Sequence, residues 1–231
     1  MKNLLLLFLA VLLAGQAQAQ FFEVFGEAGL NFRASQIKPL NGNTYVSGWF
    51  SDASTPNSGP SEEGIIFRLA ANGDLDWVYN LSEETPQGVR NGTRIYDFDF
   101  SDSEEQIVFV GATNFRVNPQ AGNFLDNECV LGMISIGTGA EIFQQAYNFR
   151  SDARELFLRI TNNPATGGIL DNDRYFSSGA INDPGFGAGV TDNYIAARAE
   201  ITPSGVSFDW INEHNYAIPP PPAGQTTPDQ E

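Results

Sequence analysis

The chain has 231 residues, 28 acidic and 12 basic side chains, a formal charge of −16, and a single cysteine and histidine. These counts exclude an intrachain disulfide and a zinc site of the cysteine/histidine kind. They also argue against nucleic acid as a partner, because phosphates require a basic surface. With 42% hydrophobic residues and 18 Phe, 7 Tyr and 3 Trp, the composition predicts a folded chain with its own core.

Residues 1–19 are predicted to be a signal peptide. Lys2 precedes an apolar run from Leu4 to Ala14, and Ala17-Gln18-Ala19 matches an A-x-A cleavage site. The run is shorter than the ~20 residues that a helix needs to cross a bilayer, so we expect no transmembrane anchor. The sequence therefore predicts a secreted protein, either extracellular, periplasmic or at the cell surface.

Three repeated units follow, at about 30–82, 93–149 and 153–216, within a repeat domain that spans 20–216. Each unit contains segments of alternating apolar and polar residues bounded by Asn, Gly, Asp and Ser, which is typical of strands joined by tight turns. A turn glycine recurs every 66 residues, at Gly73, Gly139 and Gly205. Another glycine lies near the end of the second segment of each unit: Gly48, Gly111 and Gly179. We therefore predict four antiparallel strands per unit.

This pattern predicts an all-β fold similar to a β-propeller, in which four-stranded sheets stack face to face. A large aromatic recurs in the last strand of each unit and is expected to fill the space between sheets: Trp77, Phe143 and Trp210. The alternative is a β-sandwich, although an immunoglobulin-like sandwich has seven strands in about 100 residues and no such period. Cys129 lies in the apolar run CVLGMISI and is expected to be buried.

The units resemble the repeats of secreted bacterial β-propeller proteins, which are abundant among exported proteins of the Bacteroidetes type. The segment GIIFRLAANGDLDW (64–77) matches best, followed by NYIAARAEITPSGVSFDW (193–210). The second unit departs from the pattern, with Thr138 before its turn glycine and Phe143 in place of tryptophan. The resemblance covers roughly 21–216, carries no catalytic residue, and implies a rigid extracellular or cell-surface scaffold.

Three units and an orphan strand at 21–26 leave a propeller ring incomplete, because propellers typically have four to eight blades. Residues 217–231 cannot supply further strands, since four successive prolines remove backbone donors, and we expect this tail to be disordered. The chain would then be a fragment of a longer propeller or a diverged small one. Alternatively, two copies close a ring as a homo-oligomer that exchanges the orphan strand.

Candidate ligand residues come from two places. Asp97 and Asp99 alternate with phenylalanines on one strand and so face the same side, where they could bind calcium or act as the carboxylate pair of a glycosidase. The competing interpretation is a solvated strand face. Trp49 and Asp52 lead into the variable loop of the first unit, where Trp49 could stack on a sugar or pack in the core.

The sequence favours a noncatalytic binding or scaffold module for an extracellular glycan or protein, because it contains no nucleophile motif or metal-ligand spacing. The rival hypothesis is a carbohydrate-active hydrolase that uses Asp97 or Asp99. We expect no cofactor, and we expect calcium to be dispensable. No catalytic residue is assigned.

Overall fold

A computed structural model describes the chain in nine ranges: 30–52, 62–84, 90–113, 116–118, 123–125, 128–149, 154–162, 174–182 and 193–214. The predicted signal peptide (1–19), orphan strand (21–26) and tail (217–231) lie outside these ranges. Within them, no helix is long and apolar enough to cross a membrane.

The described residues form three four-stranded antiparallel sheets. The first sheet contains β1 (Leu30–Leu40), β2 (Asn43–Asp52), β3 (Glu62–Leu69) and β4 (Leu75–Leu81). The second sheet contains β7 (Arg94–Phe100), β8 (Gln106–Thr113), β11 (Glu128–Ser135) and β12 (Glu141–Tyr147). The third contains β13 (Arg154–Asn162), β14 (Arg174–Asn182), β15 (Asn193–Thr202) and β16 (Gly205–His214). The predicted all-β architecture of three four-stranded units is confirmed.

Two short ribbons complete the described strands. One pairs β5 (Glu83–Glu84) with β6 (Arg90–Asn91), and the other pairs β9 (Arg116–Asn118) with β10 (Asn123–Leu125). Among the described strands, no ladder joins the third sheet to the first, so the sheets are not closed into a ring.

The turn glycines adopt the backbone conformation that their recurrence predicts. Gly73, Gly139 and Gly205 have φ values of 91°, 68° and 130°. L-residues with a side chain rarely adopt these values, because Cβ collides with the backbone. The hairpin between the last two strands of each sheet therefore depends on glycine at this position.

Glycine recurs in the second strand of each sheet for a different reason, which is the shape of the neighbouring first strand. The first strand of each sheet has a β-bulge, at Ser35, Tyr96 and Leu158. A Cβ on Gly111 would lie 2.2 Å from the carbonyl oxygen of Arg94, two residues before the bulge. Equivalent contacts of 2.0 and 1.6 Å would arise at Gly48 and Gly179. The recurring glycine thus makes room for a bulged partner strand.

The second sheet is buried on both faces. Along β8, Ile107 and Phe109 belong to the core shared with the first sheet, whereas Val108 and Val110 belong to the core shared with the third sheet. Cys129 is fully buried in the second of these cores, as predicted. Because strand side chains alternate between faces, the three sheets must stack face to face in chain order.

The first sheet contacts the second through Trp77. The indole Nε1 of Trp77 and Nη1 of Arg68 donate hydrogen bonds to the carbonyl oxygen of Ile136, at 3.2 and 2.9 Å. Gly139 lies against the indole, since a Cβ there would be 2.6 Å from the ring. Trp77 therefore fills the space between sheets, as predicted.

Trp210, at the equivalent place in the third sheet, does not fill such a space. Its side chain is 37% exposed, and its ring packs on Phe176 of the same sheet at 6.2 Å between centroids. The predicted filler role is wrong for Trp210, because among the described residues no further sheet follows the third one.

Candidate binding cleft

Asp97 is a buried structural residue. Its Oδ1 accepts hydrogen bonds from Nε2 of Gln36 (3.0 Å) and the amide of Phe98 (2.9 Å), and its Oδ2 accepts one from the amide of Ile160 (3.1 Å). Gln36 lies in the first sheet and Ile160 in the third. One carboxylate, 3% exposed, therefore joins the first strands of all three sheets.

Asp99 repeats this arrangement two residues later. Its Oδ1 accepts hydrogen bonds from Nζ of Lys38 (3.0 Å) and the amide of Phe100 (3.0 Å), and its Oδ2 accepts one from the amide of Asn162 (2.7 Å). We call Asp97 and Asp99 the aspartate clasp. The sequence-based interpretation as a solvated strand face is wrong, because each carboxylate is engaged by three donors from three strands.

The clasp is poorly suited to bind a ligand. A carboxylate has about four acceptor sites, and three are occupied on each aspartate. Among the described residues, no group of three or more His, Cys, Asp or Glu side chains could hold a metal ion. The expectation that calcium is dispensable stays a prediction.

A cleft with aromatic walls opens beside the clasp. Its volume is about 620 Å³, and its lining includes the bulged residue of all three first strands together with Trp49 and Tyr194. We call it the aromatic cleft. The bulges direct Ser35, Tyr96 and Leu158 into the cleft. Each bulge inserts one extra residue, which shifts the alternation of side chains between the two faces of its strand.

Trp49, predicted as a ligand residue, forms one wall of the aromatic cleft. The rings of Trp49 and Tyr96 are in T-shaped contact with 5.9 Å between their centroids, and the guanidinium of Arg94 lies 5.0 Å from the centroid of the Trp49 ring. Nη2 of Arg94 is in turn held by Oε1 of Glu62 at 2.7 Å. The indole Nε1 of Trp49 is buried and, within the described ranges, has no hydrogen-bond partner.

Tyr96 remains protonated beside Trp49. Burial of its hydroxyl raises the pKa of Tyr96, although interaction with the Arg94 guanidinium acts in the opposite direction. The phenol therefore stays neutral at ordinary pH and can donate as well as accept a hydrogen bond.

The far wall belongs to the third sheet. Tyr194 is 58% exposed, while its neighbours Ile195 and Ala197 point to the second sheet and are buried. We call the face that carries Tyr194, Arg198 and Trp210, turned away from the second sheet, the outer face. The aromatic cleft opens onto this outer face.

Asp52, the remaining predicted ligand residue, is the last residue of β2 and pairs with Leu30. Its side chain lies outside what the structure describes. Sequence reasoning missed Tyr96, Arg159 and Tyr194. The residue type gives no signal for Tyr96, because the three bulged positions hold chemically different residues. Arg159 and Tyr194 join the cleft only through the packing of the sheets, which no local pattern marks.

Comparison with known proteins gives little further guidance. No family model matches the chain, and no curated protein matches it. Among solved structures, rhamnogalacturonan lyase YesW (14% identity) and Bacillus licheniformis rhamnogalacturonan lyase PL11 (15%) align over 80% of this chain with TM-scores of 0.39. The exotype rhamnogalacturonan lyase YesX aligns equally, at 14% identity. The chain spans about a third of the length of these proteins, 33–35%. A TM-score this low supports no transfer of fold or activity.

Proposed function

We propose that this chain is a secreted or cell-surface binding module without catalytic activity, that its sheets are blades of the β-propeller type, and that it binds a carbohydrate in the aromatic cleft. This proposal rests on the difference between two neighbouring sets of side chains, the aspartate clasp and the aromatic residues of the cleft. The clasp carboxylates are occupied by structural hydrogen bonds, whereas the aromatic side chains beside them face an open cleft.

The cleft has the properties of a ligand site. Its volume of about 620 Å³ falls within the range typical of small-molecule pockets, which are mainly apolar and aromatic with a few polar groups. The side chains of Tyr96, Arg159 and Ser178 supply such groups. The ring contacts among Trp49, Tyr96 and Arg94 hold the wall in place before a ligand arrives, which lowers the entropic cost of binding.

Binding to a glycan array tests the proposal. Trp49→Ala and Tyr194→Ala are expected to weaken binding by at least about tenfold, as is usual for aromatic anchors in a binding site. Ile142→Ala is the control, because Ile142 is an exposed apolar residue of β12 outside the cleft. Tyr194 is mostly exposed, so its variant should fold normally. Glycan binding that survives both substitutions would refute the proposed site.

The rival hypothesis is a glycoside hydrolase that uses the clasp. Glycosidases place two carboxyl groups on either side of the scissile bond with free access to it. A screen of the purified protein on polysaccharides distinguishes the two functions. Turnover that is abolished by Asp99→Asn, with an unchanged circular dichroism spectrum, would overturn the noncatalytic proposal.

A further inference from the structure

Arg159 is a cation in an acidic chain and has no acidic partner among the residues that the structure describes. It is the residue after the bulge in β13, and its side chain is exposed. Its Nη1 donates to the carbonyl oxygen of Leu158 at 3.1 Å, and within the described ranges Arg159 forms no ion pair. Other guanidinium groups of the described residues are paired: Arg68 with Asp76, Arg94 with Glu62, and Arg174 with Glu200.

Arg159 lies where two depressions of the outer face meet. It lines the aromatic cleft, and it also lines a second depression of about 330 Å³ bordered by Phe176 and Trp210. Ser178 and Ala196 line both as well. The two depressions therefore form one groove, with small side chains as its floor and Arg159 near its centre.

The groove is long enough for an oligomer. Tyr194 and Arg198 are four residues apart on β15, which corresponds to about 13 Å along the strand. Arg198 pairs in register with Phe176 and Trp210, which are each 37% exposed. Aromatic surfaces thus lie at both ends of the groove, with an arginine between them.

We propose, building on the carbohydrate-binding function above, that the ligand of this groove is an acidic oligosaccharide, one of whose uronate carboxylates binds Arg159. A guanidinium matches a carboxylate with two parallel hydrogen bonds. Asp97 also lines the second depression, but its carboxylate is buried and already accepts three hydrogen bonds. The two acidic side chains near the far end, Glu200 and Asp209, are bound to Arg174 and so oppose an anion less than free acids would. At 0.1 M salt the distant acidic surface is screened beyond about 10 Å.

Calorimetric titration with an alginate hexamer and with its methyl ester tests this inference. The ester keeps the ring shape but removes the negative charge. We expect the wild-type protein to bind the acid at least about tenfold more tightly than the ester, since a charge-assisted pair is about twice as strong as a neutral hydrogen bond. Arg159→Gln should abolish this preference, and Arg159→Lys should keep part of it. Arg33→Gln, an exposed arginine of β1 outside the groove, is the control.

The outcomes separate the inference from the function on which it rests. Equal binding of acid and ester, or an unchanged preference in Arg159→Gln, would overturn the acidic ligand while leaving a neutral glycan in the aromatic cleft. If the wild-type protein binds neither the acid nor the ester, nor any glycan on the array, both proposals are overturned. Light scattering on the same samples covers a third outcome: a dimer that Tyr194→Ala dissociates would mean that a second copy occupies the groove, which also contradicts the inference.

Discussion

The first and third sheets carry the same three side chains at equivalent positions, in different surroundings. Arg68, Asp76 and Trp77 face the second sheet, where the arginine and tryptophan bind the carbonyl oxygen of Ile136. Arg198, Asp209 and Trp210 have the same order and register in the third sheet. There the tryptophan is exposed on the outer face. A repeat sequence thus determines a local arrangement of side chains, but the next sheet decides whether that arrangement is buried.

The largest expected effect is the difference in lost stability between the alanine variants of Trp77 and Trp210. Trp77→Ala should lower the free energy of unfolding by about 3 kcal/mol, because it leaves a cavity between two sheets. Trp210→Ala should cost less than about 1 kcal/mol, as surface substitutions usually do. Urea unfolding of both variants gives the comparison. Equal losses of stability in the two variants would mean that Trp210 on the outer face is as well buried as Trp77 between the sheets.

Comparison of alanine substitutions at two glycines separates the energetic cost of crowding Trp77 from the cost of backbone strain. Gly139 (φ 68°) and Gly42 (φ 79°) share a left-handed conformation, but a Cβ would meet Trp77 only at Gly139 and meets nothing within 4 Å at Gly42. Gly42→Ala should cost about 1–2 kcal/mol from strain alone. Gly139→Ala should cost roughly 1–3 kcal/mol more through overpacking. The difference in thermal unfolding between the two variants measures the contact, and no difference would contradict it.

The smallest expected effect concerns acid stability on the outer face. A hydrogen bond from Arg174 lowers the pKa of Asp209. A lowered pKa in the folded state contributes stability that is present above the unfolded pKa, near 3.9, and is lost as the pH falls through the folded pKa. Wild-type protein should therefore lose slightly more stability than Arg174→Gln between about pH 5 and pH 2. Identical pH profiles would show that the exposed pair is fully screened by solvent.

The repeat and its turns could be predicted from the sequence, because alternation and glycine spacing are local signals. Strand number and the positive φ of Gly139 follow from them. The aspartate clasp could not, since the partners of Asp97 lie 61 residues before it and 63 residues after it. Tyr96 was missed for a different reason: a bulge breaks the period of two. The recurring glycine that accommodates the bulge, Gly111, was interpreted only as the end of a strand.

The wide sequence spacing of the clasp has a consequence for folding. Each sheet is built from strands that are close in sequence, with only the β9–β10 ribbon inserted between β8 and β11, so its pairings are local and can form early. The second oxygen of Asp97 and of Asp99 finds its partner only when Ile160 and Asn162 arrive with β13. Until that moment these oxygens must stay hydrated, which opposes complete drying of the surface of the second sheet. We therefore expect docking of the third sheet to be a late, cooperative step in which desolvation of the two carboxylates and strand arrival coincide.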